Sequence, residues 1–211
     1  SLNIVRCKVE VHEAVTDDGY ILQLHRLPGH GHPVYIQHGL LCSSACWVTS
    51  GPRSLGFVLN DLGYDVWLGN FRGNAYGRKH THLDPDKDPK FWKKYISWDN
   101  VIHHLFVNQS HYRYTIHEHG KLDLPAGLLK CLSVTGKRRL SYIGHSMGTT
   151  SFLAMCSTPA APVLDNIALA ILLAPVVEPY TMTFPLKHVA PLAAHPWFAY
   201  SFESVGVQEF L

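Results

Sequence analysis

Tyr142–Thr150, YIGHSMGTT, constrains this chain more than any other stretch. A serine stands between two glycines in the order G-x-S-x-G. An apolar strand pattern precedes it (Leu140 to Ile143) and a helical pattern opens at Met147. A sharp strand-to-helix turn forces its central residue into a strained backbone, and flanking glycines remove the side chains that would clash there. The Ser146 hydroxyl is then left projecting beside the first amides of a helix, where developing negative charge is favoured. The plain alternative is a tight turn that needs a small residue. The strand–turn–helix setting favours the nucleophile, because such a turn presents a serine for attack.

The rest of the chain supplies a sheet for that turn. Residues 9–27 read as two strands joined at Asp17-Asp18-Gly19, an antiparallel hairpin. PVYIQHG (33–39) is a buried strand running into a glycine loop, 53–62 is helical with Gly63 as its stop, and YDVWLGN (64–70) is the next buried strand. Residues 72–98 are Gly-, Asp-, Pro- and aromatic-rich, hence mostly loop. LDLPAGLLKCLSVTG (122–136) predicts a helix with Pro125 in its first turn and Gly136 as its cap. Strands at 139–144 and 167–175 bracket a helix at 147–158. Continuous apolar strands alternating with helices imply a mainly parallel sheet covered on both faces. Beyond Pro175 the pattern gives way to Pro, His and aromatic residues.

Composition sets limits on partners. The 211 residues can bury one substantial core, and 46% hydrophobic with 16% charged residues excludes a disordered chain. A formal charge of +2, with no basic run longer than Lys137-Arg138-Arg139, gives no footing for nucleic acid. No apolar run approaches the ~20 residues that span a bilayer, so no transmembrane segment is expected. Fifteen histidines would make the surface strongly cationic in an acidic compartment. The five cysteines form no zinc pattern: Cys42 and Cys46 are four apart, but no second pair lies at ligand spacing. Hydroxyl, imidazole and backbone amides suffice for the chemistry of such a serine, so neither metal nor cofactor is implied. Asn108-Gln-Ser110 is an N-glycosylation sequon if the chain is secreted.

VYIQHGLL, YDVWLGNFRGNAYGRKH, KLDLPAGL and YIGHSMGTT occur in the order found in the acid lipase family, and DDGYILQLHRLPG is similar to that family's first hairpin. The resemblance covers nearly all of the chain. It implies an α/β-hydrolase fold and hydrolysis of neutral-lipid esters, triacylglycerol or cholesteryl ester, at a lipid–water interface by a secreted or lysosomal protein. By position, Ser146 would be the nucleophile, and Leu40 and Met147 would donate the oxyanion-hole amides. His38 and Gly39 would shape the loop without doing chemistry. The family often carries Gln where this chain has Met147, a change the backbone amide should tolerate.

Two departures from the family pattern stand out. Between Trp98 and His117 this chain inserts Asp99 to Ile116, which holds the sequon at Asn108. Second, the family's acid and histidine follow a cap, and residues 179–211 resemble only the start of one, set on an incomplete core of residues 1–178. Neither partner of the triad is therefore supplied by the resemblance. Local substitutes would be Glu178 as acid with His188 or His195 as base; Asp165, expected in a loop before the last strand, is a poorer acid. The alternative readings are a non-catalytic lipid-binding or storage scaffold, or an inactive truncated fragment.

Overall fold

The computed structural model describes residues 8–40, 42–92, 114–158 and 163–177. They form one sheet of seven strands: β1 (Glu10–Val15), β2 (Tyr20–Leu27), β3 (Pro33–Gln37), β4 (Asp65–Gly69), the two-residue β5 (Lys79–His80), β6 (Leu140–His145) and β7 (Ile167–Leu173). The order across the sheet is β1-β2-β4-β3-β6-β7, with β5 on β2. The β1–β2 hairpin pairs antiparallel, as does β2 with β4, whereas β4, β3, β6 and β7 run parallel. The α/β class, the parallel core and the first hairpin all match the sequence expectation.

Alternation along the central strands builds two cores. Val34, Ile36, Val66, Leu68 and Ile143 face one side, where α1 (Leu55–Asp61) and Trp47 cover them, while the one-turn α2 (Pro89–Trp92) sets Phe91 against Tyr20 of the hairpin. Tyr35, Trp67 and Tyr142 face the other, beneath α4 (Leu124–Thr135) and α5 (Met147–Cys156). Tyr142 stacks on Phe152 of α5 with ring centroids 4.6 Å apart. Because every position of β3 and β4 is buried, these strands read in sequence as unbroken apolar runs. Arg26 makes a two-pronged ion pair to the buried Asp65, at 2.8 and 3.0 Å, and ties the antiparallel hairpin to β4.

Two sequence expectations change. The helix expected over 122–136 is longer: α3 (Tyr114–Glu118) leads through a π-helical turn, His119–Asp123, into α4. Pro125 is the second residue of α4 and lies in its first turn, as expected, with the π-helical turn running directly into it. Proline lacks an N–H and its ring clashes with the carbonyl four residues back. The wide turn just before it loosens the ladder at that place. Gly136 ends the helix at φ 64°, as expected. Tyr114–Ile116, the end of the inserted segment, are helical, and the rest of that insertion with Asn108 lies outside the described residues. The second change concerns β7. It was expected to be covered on both faces, yet among the described residues it is an edge strand, with Leu169 exposed at 55% and Ile171 and Leu173 also exposed.

Leu128 on the inner face of α4 is fully buried, whereas the adjacent Leu129 is 42% exposed. Leu128→Ala is expected to cost about 2–5 kcal/mol through lost contacts and a cavity, and Leu129→Ala less than about 1 kcal/mol, read from urea unfolding midpoints.

Candidate active site

Ser146 sits between the end of β6 and the start of α5, half-buried, with φ 50° and ψ −114°. A non-glycine residue holds such a conformation only when its surroundings fix it, at a cost of about 1–3 kcal/mol. The surroundings are explicit. The Ser146 N–H donates to the Leu173 carbonyl at 3.0 Å, so the end of β7 holds one side. The Ser146 carbonyl accepts from the Thr149 N–H at 2.9 Å and from the Thr149 hydroxyl at 2.6 Å. Thr149 Oγ1 in turn accepts from the Val176 N–H at 3.2 Å, and the Thr150 hydroxyl donates to the Val176 carbonyl at 2.7 Å. The turn leaving β7, where Ala174 also takes a positive φ of 48°, thus braces the serine turn.

The loop after β3 lies directly against this turn. A Cβ on Gly39 would sit 3.1 Å from the Ser146 Cβ and 3.2 Å from the His145 carbonyl oxygen. A Cβ on Gly148 would sit 2.9 Å from the Gln37 carbonyl oxygen and 3.0 Å from that of His38. The two backbones interlock at two glycines, one on each side. Leu40 follows Gly39 and Met147 follows Ser146, and both are half-buried. Met147 opens α5, so its N–H is among the amides that have no acceptor within the helix.

His38 sets the direction of the Leu40 amide. Its Nδ1–H donates to the Gly39 carbonyl at 2.7 Å, and its Nε2 accepts from the Phe71 N–H at 3.2 Å and from Asn74 Nδ2 at 3.1 Å. A backbone carbonyl can only accept and a backbone N–H can only donate, so these partners fix one neutral tautomer. In a trans peptide the C=O and N–H point oppositely. Holding the Gly39 carbonyl toward His38 therefore turns the Leu40 N–H away from it. The expectation that the His38 side chain shapes the loop fits this geometry, and burial lowers its pKa to about 4, which keeps it neutral.

The loop after β4 holds His38 in turn. Asn70 accepts from the Ser44 N–H at 2.8 Å and from Asn74 Nδ2 at 2.9 Å, and donates to the Gln23 carbonyl at 2.9 Å. Arg72, buried, bridges Asp18 at 2.7 Å and Asp123 at 2.7 Å, with its guanidinium 4.1 Å from the Tyr20 ring centroid. Phe71 stacks on His119 at 4.4 Å. Asn70, Asn74, Ser44 and Thr149 carry no role in the sequence reading. Their partners lie far along the chain, and only the place of YDVWLGNFRGNAYGRKH within the family resemblance pointed to this loop.

The remaining site expectations divide cleanly. Asp165 lies in the turn Leu164–Asn166 that enters β7, at the amino end of the parallel strands, whereas Ser146 stands at their carboxyl end. Glu178, His188 and His195 lie outside the described residues. Among the described residues no group of three or more His, Cys, Asp or Glu side chains is arranged to hold a metal ion. No helix among them is long and apolar enough to cross a membrane.

Comparison with known proteins adds an independent line. A family model for the alpha/beta hydrolase fold matches residues 32–204, and one for a partial alpha/beta-hydrolase lipase region matches residues 3–51. The chain is 49% identical to Lipase 1 of Drosophila melanogaster over 150 residues, 70% of this chain and 29% of that protein. It is 38% identical to lipase member K of Homo sapiens over 195 residues, 87% of this chain and 43% of that one. With gastric triacylglycerol lipase of Bos taurus it shares 36% over 202 residues, 90% and 44% respectively. The chain thus spans less than half the length of these curated relatives. A crystal structure from Burkholderia cenocepacia shares the fold at a TM-score of 0.50 and 18% identity, covering 80% of this chain and 48% of that one.

Two outcomes follow from this geometry. Ser146→Gly relieves the positive φ and should raise stability by about 1 kcal/mol in urea unfolding. For His38, the folded pKa near 4 lies below the ordinary 6.5. As pH falls below 6.5 the unfolded chain takes up a proton that the folded one refuses, so about 3 kcal/mol of stability is lost between pH 6.5 and 4. His38→Gln should lower stability at neutral pH yet flatten the decline over that window, read as unfolding midpoint against pH.

Proposed function

The chain belongs to the α/β-hydrolase fold family and, within it, to the acid lipases, and on that premise we propose that the protein hydrolyses carboxylic esters of neutral lipids with Ser146 as nucleophile. The observation that carries this reading is the strained Ser146 backbone set against Gly39, with the loop of Leu40 alongside. A residue in a mere tight turn would have no reason to hold φ 50° when glycine is available on both sides.

In this mechanism Ser146 Oγ attacks the ester carbonyl and its proton passes to a base. The carbonyl oxygen becomes an oxyanion, which the amides of Leu40 and Met147 receive. Collapse expels the alcohol and leaves an acyl-serine, which water then hydrolyses. We place the base and its acid partner outside the described residues, and within this chain Glu178, His188 and His195 are the local substitutes. His38 is unsuited to the task, because both its ring nitrogens are committed within the loop. The triacylglycerol in the bovine relative's name supports a neutral-lipid ester as the substrate class. We assign residues 179–211 to the start of a cap that meets the lipid–water interface through its apolar and aromatic stretch FPLKHVAPLAAHPWFAYSF. A secreted or lysosomal location fits such a role.

A fluorophosphonate probe with peptide mapping, together with turnover of a short-chain ester, tests the assignment. Ser146 should carry the label, and Ser146→Ala should remove both label and turnover. Met147→Gln and Met147→Leu should leave the labelling rate within about two-fold, because the proposed donor is the backbone amide. A label on another serine, or ester turnover surviving in Ser146→Ala, would refute it.

A further inference from the structure

The φ of a residue follows from where its N–H points and its ψ from where its C=O points. Both groups of Ser146 must therefore be held if φ 50° and ψ −114° are to persist. The Leu173 carbonyl holds the N–H at 3.0 Å. The C=O is held chiefly by Thr149, whose N–H donates to it at 2.9 Å and whose hydroxyl donates at 2.6 Å. The regular helical donor, the Thr150 N–H, stands farther off at 3.4 Å. Thr149 is fully buried, and its hydroxyl has one hydrogen, which goes to the Ser146 carbonyl. A lone pair of the same oxygen accepts from the Val176 N–H at 3.2 Å.

This hydroxyl reaches both parts of the candidate site. In the trans peptide between Ser146 and Met147 the C=O and N–H point oppositely. Drawing the Ser146 carbonyl to Thr149 turns the Met147 N–H away from the body of α5, just as His38 turns the Leu40 N–H by holding the Gly39 carbonyl. On its other side the hydroxyl ties that peptide to Val176, in the turn by which the chain leaves β7 toward the segment assigned to the cap. The Thr150 hydroxyl grips the carbonyl of the same residue at 2.7 Å. Among the described residues only Ser146 and Ala174 combine a side chain with a positive φ, and both lie in this one hydrogen-bonded assembly.

Resting on Ser146 as the nucleophile, we propose that Thr149 is a positioning residue, whose hydroxyl aims the Met147 amide at the oxyanion and couples that aim to the turn leaving β7. The two donors of the hole are then set in the same way, each by a buried side chain that holds the carbonyl of the preceding residue. A shift of the turn at Val176 loosens the hydroxyl's hold on the Ser146 carbonyl, so movement at the stem of the cap is felt at the nucleophile.

Valine has the shape of threonine without the hydroxyl, whereas serine keeps the hydroxyl and drops the methyl. Fluorophosphonate labelling of Ser146 in the full chain is followed against probe concentration, which separates binding from reaction. Thr149→Val should lower the limiting labelling rate about ten-fold or more at little change in the half-saturating concentration, and Thr149→Ser should restore it to within about three-fold. Leu128→Ala, in the core beneath α4, controls for lost stability and should leave both constants within about two-fold. A second readout needs no reaction. Ser146→Gly should raise the urea midpoint of the wild-type chain, and that gain should fall by at least half in the Thr149→Val background, where the serine backbone is free to relax. An undiminished gain, unchanged labelling in Thr149→Val, or no recovery in Thr149→Ser would overturn the proposal. If wild-type Ser146 takes no label, the nucleophile assignment fails, and the unfolding comparison alone decides whether Thr149 holds the turn.

Discussion

The ends of β3 and β6 can lie as close as they do only because Gly39 and Gly148 have no side chains. A Cβ on Gly148 would meet the Gln37 and His38 carbonyls, and one on Gly39 would crowd His145 and Ser146. Everything around the candidate site depends on that contact. Parallel pairing of β3 with β6 carries the two loops to the same edge of the sheet. The glycines then let the loops touch, and hydrogen bonds from β7 and Thr149 keep Ser146 in a conformation it would otherwise leave. Strain at the serine is thus a property of the assembled sheet rather than of the nine residues YIGHSMGTT.

Around this contact the polar groups form a chain of constraints. His38 fixes the Gly39 carbonyl, Asn74 and the Phe71 amide fix His38, and Asn70 fixes Asn74 and Ser44. Arg72 locks the same loop to Asp18 of the first hairpin and to Asp123 at the start of α4. Buried polar groups with partners rigidify a structure, whereas a missing partner leaves a desolvated group exposed to no compensating bond. The network therefore ties the geometry near Ser146 to elements well away from it.

Much of this was legible in the sequence. Unbroken apolar runs marked β3, β4 and β6, and the G-x-S-x-G pattern in a strand–turn–helix setting marked Ser146. That the HGL loop and the serine turn share one side was also readable, because parallel strands of one sheet carry their following loops to the same end. What escaped was long-range or locally ambiguous. The bond from Asn74 to His38 joins residues 36 positions apart, which no local pattern reveals. Pro125 marks the first turn of α4 in the sequence, and the structure keeps it there. What the pattern hides is the helical stretch before it, because the π-helical turn His119–Asp123 interrupts the ordinary 3.6 periodicity that sequence reading depends on.

That wide turn at His119–Asp123 has an evolutionary corollary. It contains one residue more than an α-helical turn of the same rise would need. A lineage losing a single residue there could return to regular helix while α4 kept its face on Tyr35 and Tyr142. The same loss inside β3 or β6 would slip the strand and reverse every side chain. Length variation among descendants should therefore gather in this helix and spare the strands on either side of the serine.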